Sequence, residues 1–224
     1  MDLTDGPAYR REHHSGGSIT GSEALVFIQV ISGRTSRQDE ARELGDRWVR
    51  DLAPGAVGWL GSTFGVTDDG TMLGVIRFES REAAQANADR PEQTAFAEEM
   101  AKLFDGAVEF HDCDDVTQMM QGGSDEAGFV QVMRGKVADA EGLKTLMTDS
   151  DELHQARPEI IGATLAIDDE GNAFQTVAFT DEASARRGEQ DTQMPDDVRD
   201  TLERAVQDVS FYDLHDPWFA SPSR

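Results

Sequence analysis

Landmarks along this chain recur at one nearly constant distance, and an internal repeat of that kind fixes the architecture before any single residue is interpreted. Phe27-Ile28-Gln29-Val30 with Gly33-Arg34 returns as Phe129-Val130-Gln131-Val132 with Gly135-Lys136, an offset of 102 (129 − 27). Gly61-Ser62-Thr63 returns as Gly162-Ala163-Thr164, Asp68-Asp69-Gly70 as Asp169-Glu170-Gly171, and Phe78 as Phe179, all at an offset of 101 (179 − 78). Val108 to Asp112 then returns as Val209 to Asp213 at the same spacing. Chance similarity does not keep register across a whole copy, so the 224 residues divide into two tandem units.

Each unit reads as βαββαβ. A run of β-branched and aromatic residues, Leu25 to Ile31 and Phe129 to Met133, predicts a buried strand ended by Gly33 or Gly135. Ala41, Leu44, Trp48 and Leu52 then fall at helical spacing before Pro54, and Ala140, Leu143 and Met147 do so before Pro158. Stretches 60–66 and 72–78, and again 162–167 and 173–179, read as hairpins around the Asp-Gly and Glu-Gly turns. A second helix carries Phe96, Met100, Leu103 and Phe104, matched by Val198, Leu202, Ala205 and Val206. Last strands close the copies at 107–112 and 208–214. The expected division is a disordered tail over 1–23, a first unit over 24–118, a polar linker over 119–127 around Gly122-Gly123-Ser124, and a second unit over 128–219. The Asp216-Pro217-Trp218-Phe219 stretch is expected to tuck its aromatics onto the second unit.

Composition removes several classes of partner. With 44 acidic against 20 basic residues the formal charge is −24, which repels nucleic acid and anionic membrane surfaces. No run approaches the roughly 18 apolar residues of a membrane span, and the N-terminal stretch has no apolar core of a signal peptide. The single cysteine, Cys113, has no internal partner, which suits a cytoplasmic setting. His111-Asp112-Cys113-Asp114-Asp115 offers ligand types, but alternate strand residues face opposite ways, so no metal site is expected. Gly55, Gly58 and Gly61 match neither a dinucleotide fingerprint nor a phosphate loop, so no cofactor is expected.

A paired βαββαβ unit resembles the dimeric α+β barrel superfamily, which includes antibiotic-biosynthesis monooxygenases, over about residues 24–116 and 128–218. The resemblance implies an α+β fold of ferredoxin-like repeats, packed sheet to sheet with helices outside, so that the chain forms an internal pseudo-dimer. Apolar residues on both faces of strands such as Leu25 to Ile31 favour that arrangement independently, since one helix layer covers only one face. The haem-degrading branch uses Asn, Trp and His, a set not matched here.

The polar residues that interrupt the apolar strands are the site candidates. Gln29 and Gln131 stand at equivalent places, where an unpaired buried amide would cost about 1–3 kcal/mol. Each therefore bonds across the copies, to a bulge or to a ligand, and Thr63 and Thr164 share that choice. His111, with Tyr212 at the same place in copy two, is the candidate base, because strand parity turns it away from Phe110 and towards the space between the sheets. Arg77, opposite Ala178 in the alignment, could anchor an anion. No nucleophile, base and orienter can be assembled, so the function expected is binding of a small apolar or phenolic molecule, or a stress-associated role. The alternative is a cofactor-independent monooxygenase acting on a phenolic or quinol-like substrate with His111 as base.

Overall fold

A computed structural model describes residues 26–120, 122–146, 155–191 and 196–222. The first unit consists of β1 (Phe27–Arg34), α1 (Gln38–Asp51), β2 (Trp59–Val66), β3 (Thr71–Phe78), α2 (Arg81–Ala88), α3 (Pro91–Ala101), β4 (Val108–Cys113) and β5 (Asp115–Met119). The second consists of β6 (Phe129–Val137), α4 (Ala140–Leu146), β7 (Ile160–Ile167), β8 (Asn172–Phe179), α5 (Glu182–Asp191), α6 (Asp196–Ala205), β9 (Val206–Leu214) and β10 (Trp218–Ala220). The elements form two antiparallel five-stranded sheets, ordered β10-β2-β3-β1-β4 and β5-β7-β8-β6-β9.

Strand alternation divides the apolar residues between two layers. Even residues of β1 and odd residues of β3 point at the other sheet, where Ile28, Val30, Val75 and Cys113 pack on Ala166 and Phe174 of the second copy. Leu73 likewise packs on Val130, Val132, Ala178 and Leu214. The opposite faces meet helices, as Ala41, Leu44 and Met72 do in copy one and Leu143, Ala163 and Leu165 do in copy two. The sheets therefore lie face to face with helices outside, as the double-sided apolar strands required.

Several expectations need correcting. Gly33 and Gly135 do not end their strands; β1 and β6 run through them. A Cβ at Gly33 would lie 2.6 Å from Phe104 Cδ1 and one at Gly135 2.3 Å from Val206 Cγ1, so close packing, not chain reversal, explains the glycines. The second helix of copy one is two, because Pro91 begins α3 after a break at residues 89–90. Val206 starts β9, pairing with Val137, rather than completing a helix. Leu25, Met147 and the expected tail over 1–23 lie outside the described residues.

The largest departure is at the ends of the units. β5, which precedes most of the expected linker, pairs with β7 of the second sheet, and β10 pairs with β2 of the first. Trp218 and Phe219 thus join the first copy rather than the second, since the outer edge of β2 offers unpaired backbone groups to the passing chain. Each unit donates its last strand to the other's sheet.

Candidate functional site

The residues expected to gather at one site are split between the two faces of the sheets. His111, Tyr212, Thr63, Thr164 and Arg77 face the packed space between the sheets, whereas Gln29 and Gln131 face the helices. Register makes this unavoidable, because His111 pairs with Val30 and Thr63 with Val75, both inter-sheet residues, while Gln29 is one step away on the alternate face.

Between the sheets the polar residues satisfy one another. His111 Nδ1 lies 2.8 Å from Asp168 Oδ2 of the second copy, and a carboxylate there requires the proton on Nδ1. His111 is 12% exposed, with its ring 4.7 Å from that of Phe174. Its Nε2 is buried without a hydrogen-bond partner, the nearest carboxyl being Glu109 at 3.6 Å. Asp168 also accepts from the Asn172 backbone at 2.8 Å and its side-chain amide at 2.6 Å, closing the β7–β8 turn. Burial alone would raise the Asp168 carboxyl, but the Asn172 and His111 hydrogen bonds outweigh it and leave it lowered. Burial likewise works against the Arg134 guanidinium, yet Glu109 across the interface at 2.7 Å, together with Tyr212, raises it.

Arg77 donates from Nη1 to Thr63 Oγ1 at 3.1 Å and lies under Gly123, whose missing Cβ would sit 2.8 Å from the same nitrogen. Burial lowers its pKa, opposed by the charge of Asp125. Thr164 is buried beside Thr176, its partner across β8. The expected base and anion anchor are therefore built into the joint between the copies.

A wide opening lies on the other face of the first sheet. A chamber of about 540 Å3 is enclosed by β1–β4 and β10 below and α1–α3 above. Phe27, Phe64, Phe78, Phe96, Trp48, Trp218, Met72 and Met100 give it an apolar, aromatic wall. Phe110, 61% exposed, stands at its edge, and Gly45 leaves room in α1, whereas the place of a Cβ on Gly74 is taken by the Phe64 ring at 2.9 Å. Polar groups collect at one end. Gln29 Nε2 donates to Asp112 Oδ1 at 2.8 Å, and Arg81 Nη1 lies 3.5 Å from Asp112 Oδ2. The Asp114 hydrogen bond is the largest influence raising Arg81, whose Nε–Asp114 contact is 2.8 Å. Gln131 repeats the arrangement with Asp213 at 2.9 Å, completed by Arg186 from α5.

Sequence reasoning found Gln29 but not its companions Asp112 and Arg81. The recurrence of Asp112 as Asp213 was the available signal, since a carboxylate repeated opposite a repeated glutamine marks a cross-strand pair. Among the described residues no three His, Cys, Asp or Glu side chains converge as a metal site. No described helix is long and apolar enough to cross a membrane.

No protein-family model matches the chain, and no curated protein matches it. Solved structures do. A proposed monooxygenase from Lactobacillus acidophilus superposes with a TM-score of 0.65 at 13% identity, over 88% of this chain and 96% of its own. A proposed monooxygenase from Fusobacterium nucleatum gives 0.67 at 11%, over 90% and 96%. An anthrone oxidase-like protein gives 0.59 at 10%, over 89% and 95%.

Proposed function

We propose that this chain, whose fold is the dimeric α+β barrel of antibiotic-biosynthesis-monooxygenase type in two tandem copies, binds a small aromatic molecule in its first copy. The observation that carries the reading is the chamber itself: about 540 Å3, walled by aromatic rings, with Gln29, Asp112 and Arg81 grouped at one end. That is the construction of a small-molecule site, an apolar wall with a few convergent polar groups. Asp112 and the carbonyl oxygen of Gln29 are acceptors, which suits a phenolic hydroxyl at that end.

1-Naphthol is a suitable probe, followed by its fluorescence. Ala97, exposed on α3 at the chamber wall, can be enlarged without disturbing the core, so Ala97→Trp should weaken binding by about tenfold or more. Gln29→Leu should also weaken it, whereas Gln131→Leu should not. Unaltered binding in Ala97→Trp would overturn the reading.

A second reading, a cofactor-independent monooxygenase for a phenolic or quinol-like substrate, is favoured by the names borne by the structural neighbours of the whole chain. In that case the base must reach the chamber. His111 stands on the other face of the sheet against Asp168, and Asp112 is the carboxylate that lines the chamber. Oxygen uptake with a panel of quinols and anthrones tests it; a rate that His111→Gln preserves and Asp112→Asn abolishes would place the chemistry in the chamber.

A further inference from the structure

Three tryptophans stand in or beside the first copy, and they differ in how their indole N–H groups are used. Trp48 Nε1 donates to Gln93 Oε1 at 2.6 Å, and Trp59 Nε1 donates to Ser62 Oγ at 3.0 Å. Trp218 as a whole is about as buried as Trp59, at 6% exposed, yet its Nε1 makes no hydrogen bond among the described residues and stays open to solvent. An indole nitrogen can only donate, so this N–H is available to an acceptor that enters from the chamber.

The surroundings of that nitrogen are as particular as its lack of a partner. Trp218 lines the chamber, arriving on β10 from the end of the second copy, and its ring stacks on Phe64 at 5.8 Å with 22° between planes. Arg42 lies over the ring at 5.6 Å and holds Asp216 at 3.2 Å, so the arm is fastened on both sides. Opposite Nε1 the helix α1 carries Gly45. A Cβ built there would have Trp218 Nε1 as its only neighbour within 4 Å, at 3.9 Å. Gly45 is a costly residue for a helix interior, about 1 kcal/mol worse than alanine. The space it leaves, in front of an unpartnered donor, is open.

We infer that Trp218 Nε1 is a ligand-binding donor, and that the notch at Gly45 receives an acceptor oxygen, a ring carbonyl or an ether or phenol oxygen, of the aromatic molecule held in the chamber. The inference rests on the proposed binding function and adds a requirement to it: the ligand carries an acceptor on the side facing α1, in addition to the donor suited to Asp112. The second copy thereby contributes directly to the first copy's site. A carboxylate is a poor candidate for the notch, because the chain's net charge of −24 opposes an anion.

The test compares 9-fluorenone with fluorene, which share a shape and differ by the carbonyl, by quenching of intrinsic fluorescence and by equilibrium dialysis. Wild type should prefer fluorenone by about five- to thirty-fold. Trp218→Phe keeps a ring to stack on Phe64 but removes the donor, so fluorenone should fall to the affinity of fluorene while fluorene is unchanged. Gly45→Ala should raise the melting temperature, as a helical glycine replaced by alanine does, while lowering fluorenone affinity by about tenfold. Loss of binding in a more stable protein is a result that a purely structural role cannot give. Fluorenone preference retained in Trp218→Phe would overturn the inference and leave the binding function standing. Failure of both probes to bind wild type would overturn both.

Discussion

His111 and Asp168 form a hydrogen bond between residues 57 apart in sequence and in different copies, and its surroundings decide its role. Both side chains are largely buried, at 12% and 8% exposed, so the pair is sheltered from the screening that makes surface pairs worth little. His111→Gln should destabilise by about 1–2 kcal/mol through loss of the buried hydrogen bond to Asp168, measured by urea unfolding, and leave 1-naphthol binding unchanged. An acid dependence follows from the same carboxyl. Asp168 is held below its ordinary value, and exposed Asp69 down to about 2, chiefly by Thr67 and Thr71. A depressed carboxyl contributes stability that is complete above its unfolded value near 3.9 and is lost as pH falls through the folded value. Melting temperature should therefore drop between about pH 4 and pH 2. Asp168→Asn should flatten part of that slope; an unchanged slope would remove Asp168 from the account.

At the scale of elements the exchange of β5 and β10 governs how the chain holds together. Asp115 to Met119 pairs with Ala163 to Ile167 of the other copy, and Trp218 to Ala220 with Ser62 to Phe64. A chain cut between Asp125 and Glu126, both exposed, would give two fragments each carrying a strand of the other's sheet. Such fragments should elute together as one species of full-length size, since parting would expose both strand edges and the inter-sheet core. Two separate folded monomers would contradict the exchange. The hairpins, the long first strands and the Asp-Gly turns were legible in the residues because period and turn chemistry are local. β5 and β10 were not: Asp-Val-Thr-Gln-Met has no strong alternation, and the three residues after Pro217 are too few to show any. Their strand character comes from the edge they meet.

The whole molecule is joined by apolar packing across its middle. Cys113 is a natural reporter of that packing, fully buried among Ile28, Val30 and Val75 of its own copy and Ala166 and Phe174 of the other. Burial pushes its thiol up to about 12, with the nearby charge of Asp168 adding to the effect. It should resist a disulfide reagent at pH 8 in the native protein and react fully once unfolded, because the thiolate is the reactive form. Prompt labelling would mean that the sheets part readily.

By itself the sequence determined the duplication, the α+β class and the face-to-face pairing of two sheets, because the repeat offset and double-sided apolar strands admit few other solutions. It also marked Gln29 and Gln131 as places where a buried amide needs a partner. Only the tertiary structure decided which face held the cavity. Strand parity says that His111 and Gln29 point opposite ways, but not which layer packs solidly. Here residues such as Ile28, Val30, Phe174 and Val132 close the space between the sheets, while the chamber beside Gly45 stays open under the helices. The partners of the amide and the arrival of Trp218 were hidden for one physical reason: they are contacts between segments far apart along the chain, and no local pattern encodes where a distant segment will lie.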